Sequence, residues 1–154
     1  MTDIEERVRR IEDQLAIYQV VSRYGPAADA GATQAAVDLW QAEGSYEVDG
    51  VGSFTGQDEI AGLLESELHQ NYIHQGSAHL LSFPHVMLNG DKATAINYAQ
   101  LALCTKDGFR TIRIVASRWE LVRTKQGWQV ASRTNVLLDG SQAGRDLLKR
   151  GLRV

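Results

Sequence analysis

The sequence has one cysteine and two prolines, and it lacks any long run of apolar residues. The single thiol, Cys104, cannot form an internal disulfide, and without a second thiol a structural zinc site is not expected. Its place in an alternating strand favours buried packing over a reactive role. No apolar segment approaches the length of a membrane-spanning helix, and the charged amino terminus is unlike a secretory signal. These absences predict a cytoplasmic protein.

An excess of basic residues is also missing, because 16 Lys and Arg stand against 19 Asp and Glu, for a net charge of -3. A nucleic-acid-binding surface normally needs clustered Lys and Arg, so no nucleic acid partner is expected. Glycine-rich phosphate loops, the His-Glu-x-x-His zinc pattern and the Gly-x-Ser-x-Gly elbow are absent. Any chemistry must therefore come from scattered residues. The length of 154 residues fits a single domain.

The amino-terminal segment is typical of a long helix. Thr2 and Glu5 form a capping-box pattern, and apolar residues then recur at alternating spacings of four and three. These residues are Ile4, Val8, Ile11, Leu15 and Tyr18. The charges between them, Asp13 included, predict a solvated face. Gly25-Pro26 should bend or end the helix, because proline lacks the backbone donor.

Glycines divide the segment that follows. Residues 30–32 should break the chain, Thr33 can cap a short second helix through Trp40, and Gly44 should end it. Residues 45–51 are typical of a short strand. Thr55 can then cap a third helix, whose apolar face is formed by Ile60, Leu63, Leu64, Leu68 and Tyr72.

The stretch 77–104 predicts a β-hairpin, because two apolar runs flank Asn89-Gly90 and both turn residues tolerate positive φ. Alternation along the first strand places His79, Leu81 and Phe83 on one face. The returning strand carries small residues that leave room for a cavity. They are Ala93, Ala95, Ala99 and Ala102.

Two further strands, 109–123 and 128–138, follow the hairpin. The tail 141–154 forms a short basic helix or frays. Helices come first and antiparallel strands later, an order that indicates an α+β protein rather than a parallel, doubly wound sheet.

An ordered set of short segments resembles the SnoaL-like branch of the nuclear transport factor 2-like superfamily. The segments are 11–17, 21–24 with Asp29, Trp40, 54–56, His79, 90–93 and 127–133, and the resemblance covers residues 4–138. Such proteins have the cystatin-like fold, an α+β cone in which a curved antiparallel sheet wraps around a long helix and leaves an internal pocket. The resemblance implies this fold for the present chain.

Within that branch the pattern is similar to scytalone dehydratase and hexachlorocyclohexane dehydrochlorinase, which use an Asp-His pair for elimination. The resemblance carries their pair to Asp29 and His79, and their arginine to Arg133. Histidine titrates near neutral pH and can abstract a proton, while a carboxylate fixes its tautomer. A guanidinium can hold developing negative charge. Pro26 and Ser82-Phe83 depart from the family pattern, and the second departure leaves the substrate class open.

Aromatic and apolar residues are the candidates for contact with a substrate. They are Tyr24, Trp40, Phe54, Leu81, Phe83 and Tyr98. Tyr24 could donate a hydrogen bond to a substrate oxygen, although Tyr24 and Trp40 are most simply explained as core aromatics whose polar tips are satisfied inside. A lone strand histidine is often structural, and a strand arginine such as Arg133 usually pairs with a surface carboxylate. His69, His74 and His85 are expected at surface or loop positions, with His74 near the mouth of the pocket.

The leading hypothesis is an enzyme of dehydratase or isomerase type that needs no metal or cofactor and acts on an apolar, cyclic substrate. The alternatives are a non-catalytic small-ligand-binding module and an accessory subunit like the small subunit of ring-hydroxylating dioxygenases. A homodimer or homotrimer is expected, because the back of the sheet is too apolar to stay solvated. The residues behind this expectation are Ile112, Ile114, Trp119 and Val122.

Overall fold

The computed structural model describes residues 2–152. The elements are α1 (Asp3–Asp29), α2 (Thr33–Val37), β1 (Trp40–Val48), β2 (Gly52–Thr55), α3 (Gln57–Glu65), α4 (Glu67–Gln75), β3 (Ser77–Leu81), β4 (His85–Asn89), β5 (Lys92–Thr105), β6 (Gly108–Thr124), β7 (Gly127–Leu137) and α5 (Gln142–Arg150). No helix within residues 2–152 is long and apolar enough to cross a membrane. The predicted α+β class is confirmed.

The seven strands form one sheet in the order β2-β1-β7-β6-β5-β3, and β4 also pairs with β5. β1 and β7 run parallel, whereas the other paired strands are antiparallel. α1 contacts β3 and β4 near one edge of the sheet and also β7, further across it. The sheet therefore curves around α1 instead of lying flat against it.

α1 is an uninterrupted helix of 27 residues. Its predicted capping box is present, since the Glu5 backbone N–H donates to Thr2 Oγ1 at 3.2 Å and the Thr2 N–H donates to Glu5 Oε2 at 2.7 Å. The predicted termination at Gly25-Pro26 is wrong, because the helix continues through Pro26 to Asp29. Pro26 itself is exposed, but its neighbours Tyr24, Gly25, Ala27 and Ala28 are buried, and their packing outweighs the one hydrogen bond that proline removes.

The face of α1 that meets the sheet differs from the predicted apolar stripe. The core-facing residues are Asp13, Ile17, Val21, Tyr24 and Ala28. The expectation that Asp13 is solvated is wrong, because its carboxylate accepts hydrogen bonds from Arg123 Nη2 at 2.6 Å and Trp128 Nε1 at 3.1 Å. The bond from Arg123 is the largest of the contacts that hold the pKa of Asp13 below its usual value. These contacts fasten the middle of α1 to β6 and β7.

The second predicted helix is shorter than expected. It ends at Val37, and Trp40 already begins β1, so the boundaries placed at Trp40 and Ser45 are wrong. Gly44 lies inside the strand and does not end a helix; a Cβ there would come within 3.0 Å of the Val130 carbonyl oxygen. The register of β1 against β7 shifts between Trp40 and Ser45. Glycine thus permits a close, irregular pairing that helix and strand patterns do not reveal.

The third predicted helix is two helices, α3 and α4. Ser66 separates them with an extended ψ of 152°, and its side chain accepts the backbone N–H of His69 at 3.3 Å. Serine competes with a continuing helix through such local bonds. The predicted cap, Thr55, is instead the last residue of β2, and Gly56 precedes α3 without a side-chain cap.

The predicted hairpin is present, with β4 and β5 paired and Gly90 at φ 60°. Asn89, however, is the last residue of β4 and pairs with Lys92, so the turn residues are Gly90 and Asp91, and the expected positive φ at Asn89 is wrong. The strand before the turn, however, is divided into β3 and β4, which both pair with β5. Pro84 lies in the break, and proline cannot donate to a ladder. Phe83 also falls in the break and is 76% exposed, so its predicted place beside His79 is wrong.

The outer face of the sheet is partly covered. Leu147 of α5 packs there against Ile96 and Ala116. The predicted carboxyl-terminal helix is therefore present and runs through Arg150, while residues 153–154 lie outside the described part of the chain. Ile112 and Ile114 are exposed and Val122 is half-buried, but Trp119 is fully buried in the core. Its predicted place on the back surface is wrong, whereas the expected self-association stays a prediction.

Candidate active site

A cavity of about 90 Å³ lies between α1, α4 and the inner face of the sheet. Its wall is largely apolar, and Leu63, Leu101 and Val115 contribute to it. A buried water needs a cavity of only about 10–15 Å³, so this cavity suits a small ring better than a single solvent molecule. Of the small residues on β5 that suggested a cavity, Ala99 lines it.

Asp29 and His79 meet at this cavity, where the last turn of α1 passes β3. Their side chains are in hydrogen-bonding contact, with His79 Nδ1 and Asp29 Oδ1 2.7 Å apart. Asp29 Oδ2 accepts the backbone N–H of His79 at 2.7 Å, and Ser77 Oγ donates to Oδ1 at 3.0 Å. The expected hydrogen-bonded contact is therefore present, while its catalytic role remains a prediction.

The charge state of Asp29 follows from these bonds. Burial raises the pKa of Asp29, but the hydrogen bonds from His79 and Ser77 outweigh burial and leave this pKa below its usual value. The carboxylate is therefore ionised at neutral pH, and whenever the imidazole is in its neutral form the carboxylate accepts the proton on Nδ1. Nε2 is then the basic nitrogen of the cavity-lining His79.

Gly25 allows α1 and β3 to approach closely enough for this contact. A Cβ atom built on Gly25 would lie 2.3 Å from the backbone carbonyl oxygen of His79. Any larger residue would push helix and strand apart. The absence of a side chain at this position thus sets the distance between the elements that carry Asp29 and His79.

Arg133 is 1% exposed and lines the same cavity. Its guanidinium carbon lies 4.0 Å from the ring centre of Trp119, 4.3 Å from Tyr24 and 4.9 Å from Tyr46. Nε donates to Ser117 Oγ at 3.1 Å, and Nη1 has no hydrogen-bond partner within residues 2–152. The alternative of a surface carboxylate partner is wrong, because aromatic rings surround this cation.

A chain of buried hydrogen bonds continues from Arg133. Ser117 Oγ donates to Asn135 Oδ1 at 2.6 Å, and Asn135 Nδ2 donates to the Tyr46 hydroxyl at 2.9 Å. Tyr46 and Asn135 also line the cavity. Sequence reasoning missed both residues, because their meeting depends on the registers of three strands. Tyr46 lies opposite Arg133 in the β1–β7 pair, and Ser117 lies opposite Asn135 in the β6–β7 pair.

Tyr24 stands between the two polar ends of the site. Its ring is edge-on to His79, with ring centres 6.0 Å apart, and it lies under the Arg133 guanidinium. Burial raises the pKa of Tyr24 well above its usual value. The hydroxyl therefore keeps its proton at neutral pH.

His69 is the main residue that sequence reasoning misplaced. It is buried, lines the cavity and stacks on His79 with ring centres 5.5 Å apart. Neither ring nitrogen has a hydrogen-bond partner within the described chain. Burial, followed by the nearby charge of His79, lowers the pKa of His69. In one continuous helix His69 would lie about 180° from Ile60, and only the break at Ser66 turns it inward.

Of the predicted substrate contacts, Tyr24 and Leu81 line the cavity. The expectation that the other four line it is wrong, and they are Trp40, Phe54, Phe83 and Tyr98. Trp40 and Phe54 pack in or against the core, and Trp40 Nε1 donates to the Ser45 carbonyl at 3.1 Å. Phe83 packs on Tyr18 outside the cavity, and Tyr98 projects from the opposite face of β5. His74 and His85 are exposed, as expected.

Within residues 2–152 no three His, Cys, Asp or Glu side chains cluster as metal ligands would. The polar groups that line the cavity include the imidazoles of His69 and His79, the phenols of Tyr24 and Tyr46, and the guanidiniums of Arg113 and Arg133. This set can accept a proton at one end and hold negative charge at the other.

The model of the SnoaL-like domain matches residues 9–134. Among solved structures, a nuclear transport factor 2-like protein with a cystatin-like fold from Novosphingobium aromaticivorans is 38% identical, with a TM-score of 0.93 and 96% of each chain covered. No curated protein matches the chain significantly.

Two more distant structures share the architecture. A candidate aromatic ring hydroxylase from Novosphingobium aromaticivorans is 26% identical, with a TM-score of 0.66 over 83% of this chain and 90% of that one. A candidate dehydratase of the same superfamily from Streptomyces avermitilis is 16% identical, with a TM-score of 0.71 over 83% and 97%. The second likeness shows the fold alone. The chain belongs to the SnoaL-like domain family of the nuclear transport factor 2-like superfamily, with the cystatin-like fold expected from its sequence.

Proposed function

We propose that the protein is a cofactor-independent enzyme of dehydratase or isomerase type, acting on an apolar, cyclic substrate in this cavity. The 2.7 Å contact between His79 and an ionised Asp29, inside a mostly apolar cavity, is the observation that carries the proposal. The similar fold of a candidate dehydratase supports the reaction class only by analogy.

In the proposed reaction His79 acts as the general base. Its Nε2 takes a proton from a substrate carbon, and the electrons of that C–H bond form a new double bond. In a dehydration the C–O bond on the neighbouring carbon breaks as this double bond forms, and the departing hydroxide takes the proton from the His79 imidazolium to give water. In an isomerisation the imidazolium returns the proton to a different carbon of the substrate. Asp29 holds the imidazole in the required tautomer and stabilises the imidazolium that forms.

Arg133 and Tyr24 have a different role, at the other end of the polar wall. Proton removal beside a carbonyl places negative charge on the carbonyl oxygen, and a buried guanidinium stabilises that charge. Nη1 of Arg133 has no hydrogen-bond partner among the described residues, so it can donate to such an oxygen. Tyr24 keeps its hydroxyl proton and can donate beside it.

The second candidate function is a small-ligand-binding module without chemistry. The unpartnered nitrogens of His69 and Arg133 favour binding as much as catalysis, because any ligand that supplies matching polar groups would form hydrogen bonds with them. The accessory-subunit alternative is supported only by the structural likeness to a candidate aromatic ring hydroxylase.

Hydrogen–deuterium exchange separates catalysis from binding without knowledge of the natural substrate. Small cyclic ketones would be incubated with the protein in D₂O, and loss of the signal from hydrogens beside the carbonyl would be followed by NMR. We expect exchange with the parent protein, a fall of about 10²–10⁴-fold for His79→Ala, and parent-like exchange for the exposed control His74→Ala. Binding without exchange, or exchange unchanged in folded His79→Ala, would leave the binding module as the better interpretation.

A further inference from the structure

The first half of α1 carries an apolar stripe that nothing in the described chain covers. Ile4 is 68% exposed, Val8 47%, Ile11 57% and Leu15 56%, and the stripe ends at half-buried Tyr18. The spacing of four, three, four and three residues is the a/d repeat of a coiled coil. We propose that this stripe binds the same stripe of a second copy, with the two helices side by side and parallel.

The stripe points away from the domain. With about 100° of rotation per residue, its centre lies about 140° around the helix from the core-facing residues of α1. Residues 2–12 are all exposed, and the Asp13–Arg123 contact is where α1 first becomes fixed to the sheet. A second helix can therefore approach the stripe while the two domains lie on opposite sides of the pair.

The charges beside the stripe match a second copy in the parallel orientation. Glu5 and Glu12 occupy e positions on one flank, and Arg7 occupies a g position on the other. In a parallel pair the g position of one helix faces the e position of the next heptad, so Arg7 meets the partner's Glu12. In an antiparallel pair e faces e and g faces g, which places like charges together. Arg7 now lies 3.9 Å from Asp3, an exposed pair that can be exchanged.

The apolar surface also continues from the helix onto the domain. Tyr18 packs against Phe83 with ring centres 4.4 Å apart, and Phe83 is 76% exposed. Two heptads alone are short for a stable coiled coil, so this extension matters for affinity. It provides an aromatic contact at the point where the two helices enter their domains. The inference is independent of the chemistry proposed for the cavity.

Cysteine cross-linking tests contact and orientation together. In a Cys104→Ser background, Ile4→Cys places a thiol at a d position, where a parallel pair brings it opposite its own copy. We expect a disulfide-linked dimer on mild oxidation. Glu6→Cys, on the solvated face, is the matched control and should remain mostly monomeric on a denaturing gel. Absence of the Ile4→Cys dimer, or equal dimer from both variants, would overturn the proposal.

Charge exchange gives a second test in solution. Arg7→Glu should weaken self-association in sedimentation equilibrium, because it places Glu opposite Glu. The double variant Arg7→Glu/Glu12→Arg should restore it, because the attraction returns with reversed signs. All these side chains are exposed, so circular dichroism should show unchanged folding. Failure of the double variant to regain association would overturn the parallel arrangement, and unchanged association in Ile11→Lys would overturn the interface itself.

Discussion

Gly25→Ala is the substitution that most directly tests how the site is held together. The added methyl would lie 2.3 Å from the His79 carbonyl oxygen, whereas unstrained contacts between such atoms are more than 3 Å long. Helix α1 and strand β3 would have to separate by about 1 Å. This displacement acts directly on the elements that hold Asp29 against His79.

The expected magnitude combines two opposing effects. Overpacking costs about 1–3 kcal/mol, while replacing a helical glycine by alanine gains about 0.5–1 kcal/mol. We therefore expect Gly25→Ala to lower the free energy of unfolding by about 1–2 kcal/mol. The matched control is Gly62→Ala in α3, where a Cβ would have no heavy atom within 4 Å. The control should raise the free energy of unfolding by about 0.5–1 kcal/mol.

Urea unfolding followed by circular dichroism measures both variants. The reasoning predicts shifts of opposite sign in the midpoint, with little change in the slope of the transition. NMR of the His79 ring nitrogens in Gly25→Ala would then report a weakened contact with Asp29. If Gly25→Ala is as stable as Gly62→Ala, the close approach of α1 and β3 is not a real constraint.

Three further predictions concern chemistry, pH and assembly. Asp29→Asn should reduce deuterium exchange less than His79→Ala, because it leaves a misoriented base rather than none. The activity of the parent protein should fall at acid pH and should survive a chelator. Loss of activity on chelation would contradict the proposed function. Burial lowers the pKa of His69, so as the pH falls below about 6.5 this histidine takes up a proton in the unfolded chain before it does so in the folded chain. The free energy of unfolding of the parent should therefore fall in that range, and that of His69→Phe should fall less. Identical pH dependence of the two proteins in urea unfolding would refute this. Light scattering at about 10–50 μM should report a dimer or trimer, as expected of an exposed apolar sheet face. Ile114→Lys should reduce the mass if this face associates in addition to the α1 stripe, and an unchanged mass would refute the sheet face as an interface.

The residues of the site that could be predicted are those whose positions depend on local pattern and on resemblance. Asp29 lies at the end of the first helix and His79 near the start of a strand, and both positions can be inferred without knowing how distant strands pair. Arg133 could be named, but its surroundings could not, because three rings from α1, β1 and β6 converge on it only after the sheet curves.

The residues that could not be predicted depend on breaks and registers. His69 faces the cavity only because Ser66 ends one helix and caps the next, a choice that the continuous apolar spacing from Ile60 to Tyr72 conceals. The break at Pro84 likewise moves Phe83 from the inner face to the surface. At Ser66 a local hydrogen bond is made, and at Pro84 the backbone donor is missing. In both places this local effect outweighs the secondary structure that the side-chain periodicity predicts.

The enclosed guanidinium of Arg133 also has a consequence for finding ligands. Nη1 of Arg133 is buried without a hydrogen-bond partner among the described residues, which costs free energy of folding. A ligand oxygen that accepts a hydrogen bond from Nη1 would remove this cost. Binding therefore raises the melting temperature, by the equivalent of about 2.7 kcal/mol at a ligand concentration of 100 times Kd. Neutral carbonyl compounds and anions should give large thermal shifts, and amines should give none. A melting screen of metabolites sorted by charge would thus describe the missing partner of Arg133 before any reaction is known.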